Sequence, residues 1–501
     1  MKNICSYFFL TIVLALAACQ QAKVPADYAL LNEKPAIYPD YIDVTVPVNI
    51  APLHFLLQNS YDEVVTRFKA GDTEVVLGGQ KVMIDQDDWQ ELKEKACAAG
   101  SPISVEMYTR MGEKWQRYQP FDITVSKDSI DPWLTYRLIS PSYVAYEELT
   151  INQRCLENYD EQVIYDNMLC STEQSGQCIN CHYSQGGNPQ RTVFHARQNL
   201  GGTMLNIDGK LKKINLKTDS TISAGVYPAW HPKQNVIAFS TNNTMQSFHT
   251  RDIDKVEVLD DKSDLILYNA ATDEVSIIEN DSTEFETFPC WSPDGRWLYY
   301  CSAHFEYDDS ASTTAADCIK RYKEIKYNVY RKAFDSEKLT FGPREMVFCA
   351  DSMGLSATLP RISPDGRYLL MTVGEWGTFH IWHRDADLWL MDLNTGEAAP
   401  LEGANSKSVE SFHNWSSNGR WIVVSSRRDD GNFTRPFFAH VDADGHASKA
   451  FELPTDDPNF HREFMKCYNV PEFMRGRVEI SPQQYADALK KPAEKAKFVR
   501  R

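Results

Sequence analysis

The sequence predicts a mainly β protein, and three observations predict it. A phrase recurs in the second half: "VYPAWHPKQNVIAFSTN" from Val226, "TFPCWSPDGRWLYYCSA" from Thr287, "TLPRISPDGRYLLMTVG" from Thr358 and "SFHNWSSNGRWIVVSSR" from Ser411. Each copy sets an aromatic residue or isoleucine before a Ser/His-Pro-x-Gly-type turn, and an apolar strand follows. Further strand signals with tight turns lie after the copies: "SDLILYNAATDEVSII", "NVYRKAFD", "ADLWLMDLNTGEAAPL" and "PFFAHVDADGHASKAFEL". The 501 residues also hold 11 tryptophans and 24 tyrosines, which suits folded cores and excludes a disordered stalk.

The elements follow in chain order. The opening "MKNICSYFFLTIVLALAACQ" has Lys2 and then an apolar run from Tyr7 to Ala18, the pattern of a secretory signal. Its end, "LAAC" at Leu16 to Cys19, resembles the bacterial lipobox. That resemblance implies a signal peptide over 1–18 and a lipid-carrying Cys19, hence a membrane partner through an N-terminal anchor. The expected location is the bacterial cell envelope. Gln20, where inner-membrane retention uses Asp, favours the outer membrane, facing the periplasm or the cell surface. No second apolar run is long enough to cross a membrane. A formal net charge of -17 argues against nucleic acid as a partner.

Residues 19–125 lack the repeat. "YIDVTVPVNIAPLHFLL", "AGDTEVVLGGQKVMI", "PISVEMYTR" and "PFDITVS" read as strands, and Asp88 to Ala98 as a short helix, giving a small N-terminal β-sandwich-like domain. Residues 126–177 read as a connector with helical apolar spacing from Tyr146 to Leu156. The repeats occupy 178–475, and 476–501 form a tail with a short surface helix broken near Pro492. The copies are spaced wider than a minimal propeller blade of about 40 to 50 residues, and loops such as "HFEYDDSASTTAADCIKRYKEIKY" absorb the excess. The repeats resemble the "WSPDG" blades of TolB-like β-propellers. That resemblance implies a TolB-like β-propeller of about five or six blades, and it says little about activity.

One motif stands apart from the repeats. Cys178-Ile179-Asn180-Cys181-His182 reads "CINCH". Two thiols at this spacing can form thioethers with the two vinyl groups of a haem, and the adjacent imidazole can bind the iron, so CxxCH reads as c-type attachment. The whole chain resembles uncharacterised Bacteroidetes lipoproteins in which a TolB-like region carries one CxxCH motif. A disulfide between Cys178 and Cys181, a redox-active CxxC and a zinc site remain alternatives. His182 to Trp230 spans about one blade, so the motif sits at the front of a blade. For a sixth iron ligand, Met204 after Gly201-Gly202 and His249 in "NNTMQSFHTRD" rank first and His195 next, with Met245, His380 and His383 behind. The other cysteines give no unique pairing. Cys290 and Cys301 could face each other across neighbouring strands or be buried apolar residues.

Three functions compete. The leading expectation is a lipid-anchored mono-haem c-type protein for electron transfer or redox sensing, with one covalent haem c and a redox protein partner. The alternative is a non-enzymatic TolB-like propeller scaffold that binds a protein partner in the envelope. An enzyme, either peroxidase-like with an open haem face or a hydrolase, comes third, since neither G-x-S-x-G nor H-E-x-x-H occurs.

Overall fold

β-Branched and aromatic residues in short alternating runs, cut by Gly, Asp and Asn turns, set nearly half of this backbone as strand and little of it as helix. The computed structural model describes residues 22–141, 148–171, 177–308 and 310–501. Cys19 and the signal segment therefore lie outside the described residues. The chain divides into two units, residues 1–127 with 454–463, and residues 128–453 with 464–501. Among the described residues no helix is long and apolar enough to cross a membrane.

In the first unit a seven-stranded sheet is built around Ile103–Met111, which pairs with Glu63–Ala70, Lys114–Arg117 and Phe121–Ser126. A three-stranded sheet packs on it, with Phe55 against Phe68 and Phe121. The helix Gln86–Ala99 starts at the N-cap Asp85, whose side chain accepts from the Asp87 N–H, and stops at Gly100, left-handed at φ 62°. Its Trp89, Leu92 and Ala96 are buried, and the Trp89 indole donates to the Ile50 carbonyl at 3.1 Å. The expected sandwich is thus realised only in part, because this helix also packs on the larger sheet.

The second unit consists of four-stranded groups in sequence, numbered I to VI as sheets, of which the third and fourth are joined by one parallel bridge between Ser263 and Phe285. Sheet II is Cys178–Ser184, Arg191–Arg197, Gly202–Ile207 and Lys210–Asn215. Sheet III is Val226–Trp230, Val236–Phe248, Val256–Asn269 and Glu274–Glu279. Sheet IV runs from Glu284–Trp291 to Thr340–Phe348, sheet V from Ser356–Ile362 to Ala398–Pro400, and sheet VI from Glu410–Trp415 to Phe451–Glu452. Sheet I joins the two ends: Trp133–Ile139, Thr150–Cys155 and Glu161–Asp166 take their inner strand from Cys467–Met474. The first strands of sheets II to VI lie against one another in order, and that of sheet VI lies against Cys467–Met474, which also touches Cys178–Ser184. This ring of six sheets fits a β-propeller.

The stretch expected as a connector, 126–177, therefore contributes three strands. Its helical spacing misled: Thr150–Cys155 is a strand with nearly every residue buried, and such apolar runs carry no period of their own. Tyr146 and Glu147 of that expected helix lie outside the described residues. The tail also does more than expected. Helix Pro482–Leu489, capped by Ser481 and Gln484, buries Tyr485, Ala486 and Leu489, and Glu494–Lys495 and Lys497–Phe498 add parallel strands to sheets II and III.

The recurring phrase stitches neighbouring sheets. The Trp291 indole donates to the Ala229 carbonyl of sheet III at 2.9 Å, and that of Trp415 to the Arg361 carbonyl of sheet V at 3.2 Å. Cys290 lies opposite Tyr299, and Cys301 opposite Thr287, so the two buried thiols do not face each other.

Candidate functional site

Every inner strand of the ring carries a bulge at the same place. The first residue of each bulge is left-handed although none is glycine: Cys181 (φ 52°), Tyr227 (48°), Phe288 (51°), Leu359 (55°), Phe412 (50°) and Val470 (53°). The strand register slips across each of them. A bulge leaves its residues outside the ladder, so the second position needs no N–H for pairing. That position holds His182, Pro228, Pro289, Pro360, His413 and Pro471. Cys181-His182 is therefore the copy in sheet II of a pair that reads Tyr-Pro, Phe-Pro, Leu-Pro, Phe-His and Val-Pro elsewhere.

These pairs surround an axial cavity of about 60 Å³, whose polar lining is Arg137, Asn180, Arg361, His413, Asn414 and Glu472 beside His182. His182 is buried, and neither ring nitrogen makes a well-formed hydrogen bond, although the Val470 backbone is near enough to favour the protonated form. Burial and then the Arg137 charge pull its pKa down to about 3, so the imidazole is neutral. His413, its counterpart in sheet VI, is also held at about 3 by burial and Arg361, and rests on the Leu370 carbonyl at 3.2 Å. Glu472 accepts from the Ser184 N–H at 2.9 Å and hydroxyl at 2.6 Å, and burial raises its pKa to about 7.

The motif does not fit a c-type haem in this arrangement. One porphyrin edge needs both thiols together, with the imidazole beneath its iron. Cys178 lines a wide funnel instead, whereas Cys181 and His182 line the axial cavity, which is far smaller than the few hundred Å³ of an ordinary cofactor pocket. His182 also reaches a second small space shared with Ile151, Phe194 and Met474. Among the described residues no three His, Cys, Asp or Glu side chains converge as a group that could hold a metal ion. Burial pushes the Cys181 thiol above its ordinary pKa, which makes it a poor nucleophile. Cys178 and Cys181 are free thiols on a strand, without the disulfide of the alternative reading.

The proposed sixth ligands are scattered. Met204 is fully buried in a core with Ile179 and Phe194, and its flanking Gly201-Gly202 open no space for a ligand. His249 lies 3.6 Å from Glu257 and packs on Tyr322. Neither lines a cavity that His182 reaches. His380 and His383 belong with Glu257 and Trp376 in another cluster. His195 and Met245 do line the funnel with Cys178.

That funnel, about 520 Å³, was missed in the sequence. The pleat accounts for it. Asn180 pairs with His195, and Cys178 with Arg197, and all four side chains line it. Arg137 comes from sheet I and Asn242, Thr244 and Met245 from sheet III. The hairpin Val236–Phe248/Val256–Asn269 bounds the funnel as a strap. It outgrows its neighbours and reaches across to sheets V and VI. Asp254 accepts from the Arg384 N–H at 3.2 Å, Lys255 donates to Asn432 at 3.3 Å, and Glu257 accepts from the Trp376 indole at 3.2 Å. The strap also borders a groove of about 940 Å³, where Phe248 and Ile253 stand 61% and 63% exposed.

His383 latches the strap through a buried hydrogen bond to Glu257 at 3.0 Å. Burial disfavours the imidazolium, but the Glu257 hydrogen bond and charge prevail and raise the His383 pKa. A histidine with a raised folded pKa stabilises fully below its unfolded value of about 6.5, and the effect fades as pH rises through the folded value. We expect amide protection over 248–257, corrected for intrinsic exchange, to fall as pH rises above neutrality. Glu257→Gln should lower it and flatten this dependence. Equal protection in the wild type and variant at every pH would contradict the latch.

The second unit is thus a ring of six sheets with a funnel of mixed polar and apolar lining. No family model and no curated protein matches the chain. Among solved structures, one from a study of two prolyl endopeptidases is similar over 65% of this chain and 42% of its own, at 13% identity and a TM-score of 0.35. The chain thus spans less than half the length of that protein, and a likeness of that strength bears on neither activity nor site.

Proposed function

We propose that the chain is a six-bladed TolB-like propeller, tethered to a bacterial envelope membrane through Cys19, that works as a non-enzymatic binding protein. Its ligand or partner enters the funnel beside the strap. One observation carries the reading. The bulge that holds Cys181-His182 recurs in all six inner strands, which gives these two residues a place in the ring that needs no cofactor to explain it. The funnel, by contrast, gathers polar side chains from three sheets around a space of ligand size. The electron-transfer reading would require three motif residues to meet at one group, and their division between funnel and axial cavity favours the binding reading over it.

A photo-crosslinking residue at Gln246, exposed on the funnel rim, tests this in cells. A second at Lys233, exposed in the turn after Val226–Trp230, serves as the comparison. We expect a discrete crosslinked species from position 246 and none from 233. Crosslinks of equal yield from both positions would remove the funnel from the function.

A further inference from the structure

We propose that the funnel is a receptor for a carboxylate carried on an apolar body, with Arg137 and Arg197 as its anion-binding pair. The proposal rests on the binding reading above and names the chemistry of the ligand. Arg137 is buried, at 3% exposure, yet its Nε meets no hydrogen-bond acceptor. Arg197 is exposed on the last position of its strand. Among the described residues neither guanidinium is paired with a carboxylate, and no acidic residue lines the funnel. In a chain of net charge -17, a cavity with two cations and no acid in its lining is a strong departure from the average surface.

The neighbouring groups feel that field. His182 is held neutral in part by Arg137, and His195 in part by Arg197. The acid behind the wall, Asp260, is already engaged, accepting from Asn242 at 2.6 Å and Thr244 at 2.7 Å, and burial raises its pKa to about 6. Asp260 therefore offsets Arg197 only in part and does not enter the space. A guanidinium pair in a partly dry cavity binds a carboxylate through charge-assisted, forked hydrogen bonds. The Asn180 amide adds a neutral polar contact to the lining.

The rest of the wall specifies the body of the ligand. Ile139, Leu149, Val226, Met245, Val258 and Phe379 line the same space, enough for one aliphatic or aromatic group beside the anion. A bare inorganic anion would leave this apolar surface wet. A peptide C-terminus with an apolar last residue and a small organic acid present the same chemistry.

Calorimetric titration of the purified protein tests the proposal with four probes: N-acetyl-phenylalanine, its C-terminal amide, 3-phenylpropionate and inorganic phosphate. N-acetyl-phenylalanine should bind one to one and weaken with added salt. The amide should not bind, and phosphate should bind more weakly than the acid. Tighter binding of N-acetyl-phenylalanine than of 3-phenylpropionate points to a peptide terminus, and the reverse order to an organic acid. Arg197→Gln, at an exposed position that the fold does not need, should weaken binding tenfold or more, and Arg137→Gln at least as much where it folds. Equal binding of acid and amide, phosphate as the tightest probe, or an unchanged affinity in Arg197→Gln would overturn the proposal. If no carboxylate binds while the crosslink from Gln246 persists, the ligand chemistry is wrong and the binding function stands.

Discussion

Ending the chain before Cys467 is expected to abolish cooperative folding of the second unit. Cys467–Met474 is the inner strand of sheet I, so its loss strips Trp133–Ile139 of a full ladder and opens the ring between sheets VI and II. The strand is not a loose tail. Tyr468, Phe473 and Met474 are 0%, 3% and 1% exposed, and the Tyr468 ring lies 4.8 Å from that of Tyr136. Ser425 and Thr434 of sheet VI also donate to the Tyr468 carbonyl at 2.9 Å and 2.8 Å. A propeller protects its edges by closing, and this strand joins the two ends of the chain to do so. Tyr468→Ala, which keeps the strand but empties its core, should cost about 3–5 kcal/mol. Urea titration followed by tryptophan fluorescence checks both. A truncated chain that unfolds at the wild-type midpoint would contradict the closure.

His182→Pro should fold, and it should resist acid better than the wild type. Four of the six bulges already carry proline at this position, after a left-handed residue like Cys181. The substitution therefore meets a backbone that the ring supports elsewhere, and it removes no well-formed hydrogen bond of the imidazole. The sign of the acid effect follows from burial. With a folded pKa of about 3 against an unfolded value near 6.5, the unfolded chain takes up a proton below pH 6.5 that the folded chain refuses. Each such histidine then costs about 1.4 kcal/mol per pH unit down to its folded pKa. The variant should thus gain on the order of 3 kcal/mol relative to the wild type between pH 6.5 and 4. His195, His380 and His413, also near 3, leave the remaining acid sensitivity in place. Buried Glu286, raised to about 9 by burial, acts in the opposite direction, but equally in both proteins. Stability curves that run parallel across this range would contradict a buried, neutral His182.

Much of the ring was legible because its repeat is built from backbone demands. The turn after Trp291 needs Gly295 at φ 79°, and the indole must reach the preceding sheet, so Trp-Ser-Pro-x-Gly marks the place. Sheet I was not legible as a sheet. Its inner strand lies far along the chain from the other three, and "NVPEF" carries the bulge pair Val470-Pro471 without the tryptophan or glycine turn. The motif Cys178 to His182 misled for a related reason. Five residues suit two codes, and the shorter one, an apolar or small residue followed by Pro or His at the bulge, emerges only when "NCHYS" is set beside "SFHNW" and "NVPEF". The funnel left no linear signal at all. Arg137, Asn180, Arg197 and Asn242 come from three sheets, and only the ring brings them together.

Haem content tests the central claim most directly. The protein would be expressed in a bacterial periplasm with c-type maturation machinery and a control cytochrome. It would then be run on a denaturing gel, stained for haem-linked peroxidase activity and examined by the reduced pyridine spectrum. A haem-free chain beside a stained control is the result expected of a propeller whose Cys181-His182 pair belongs to the ring. Haem that survives denaturation on this chain would contradict it, since thioethers to Cys178 and Cys181 require side chains that line adjoining but different spaces to meet at one group.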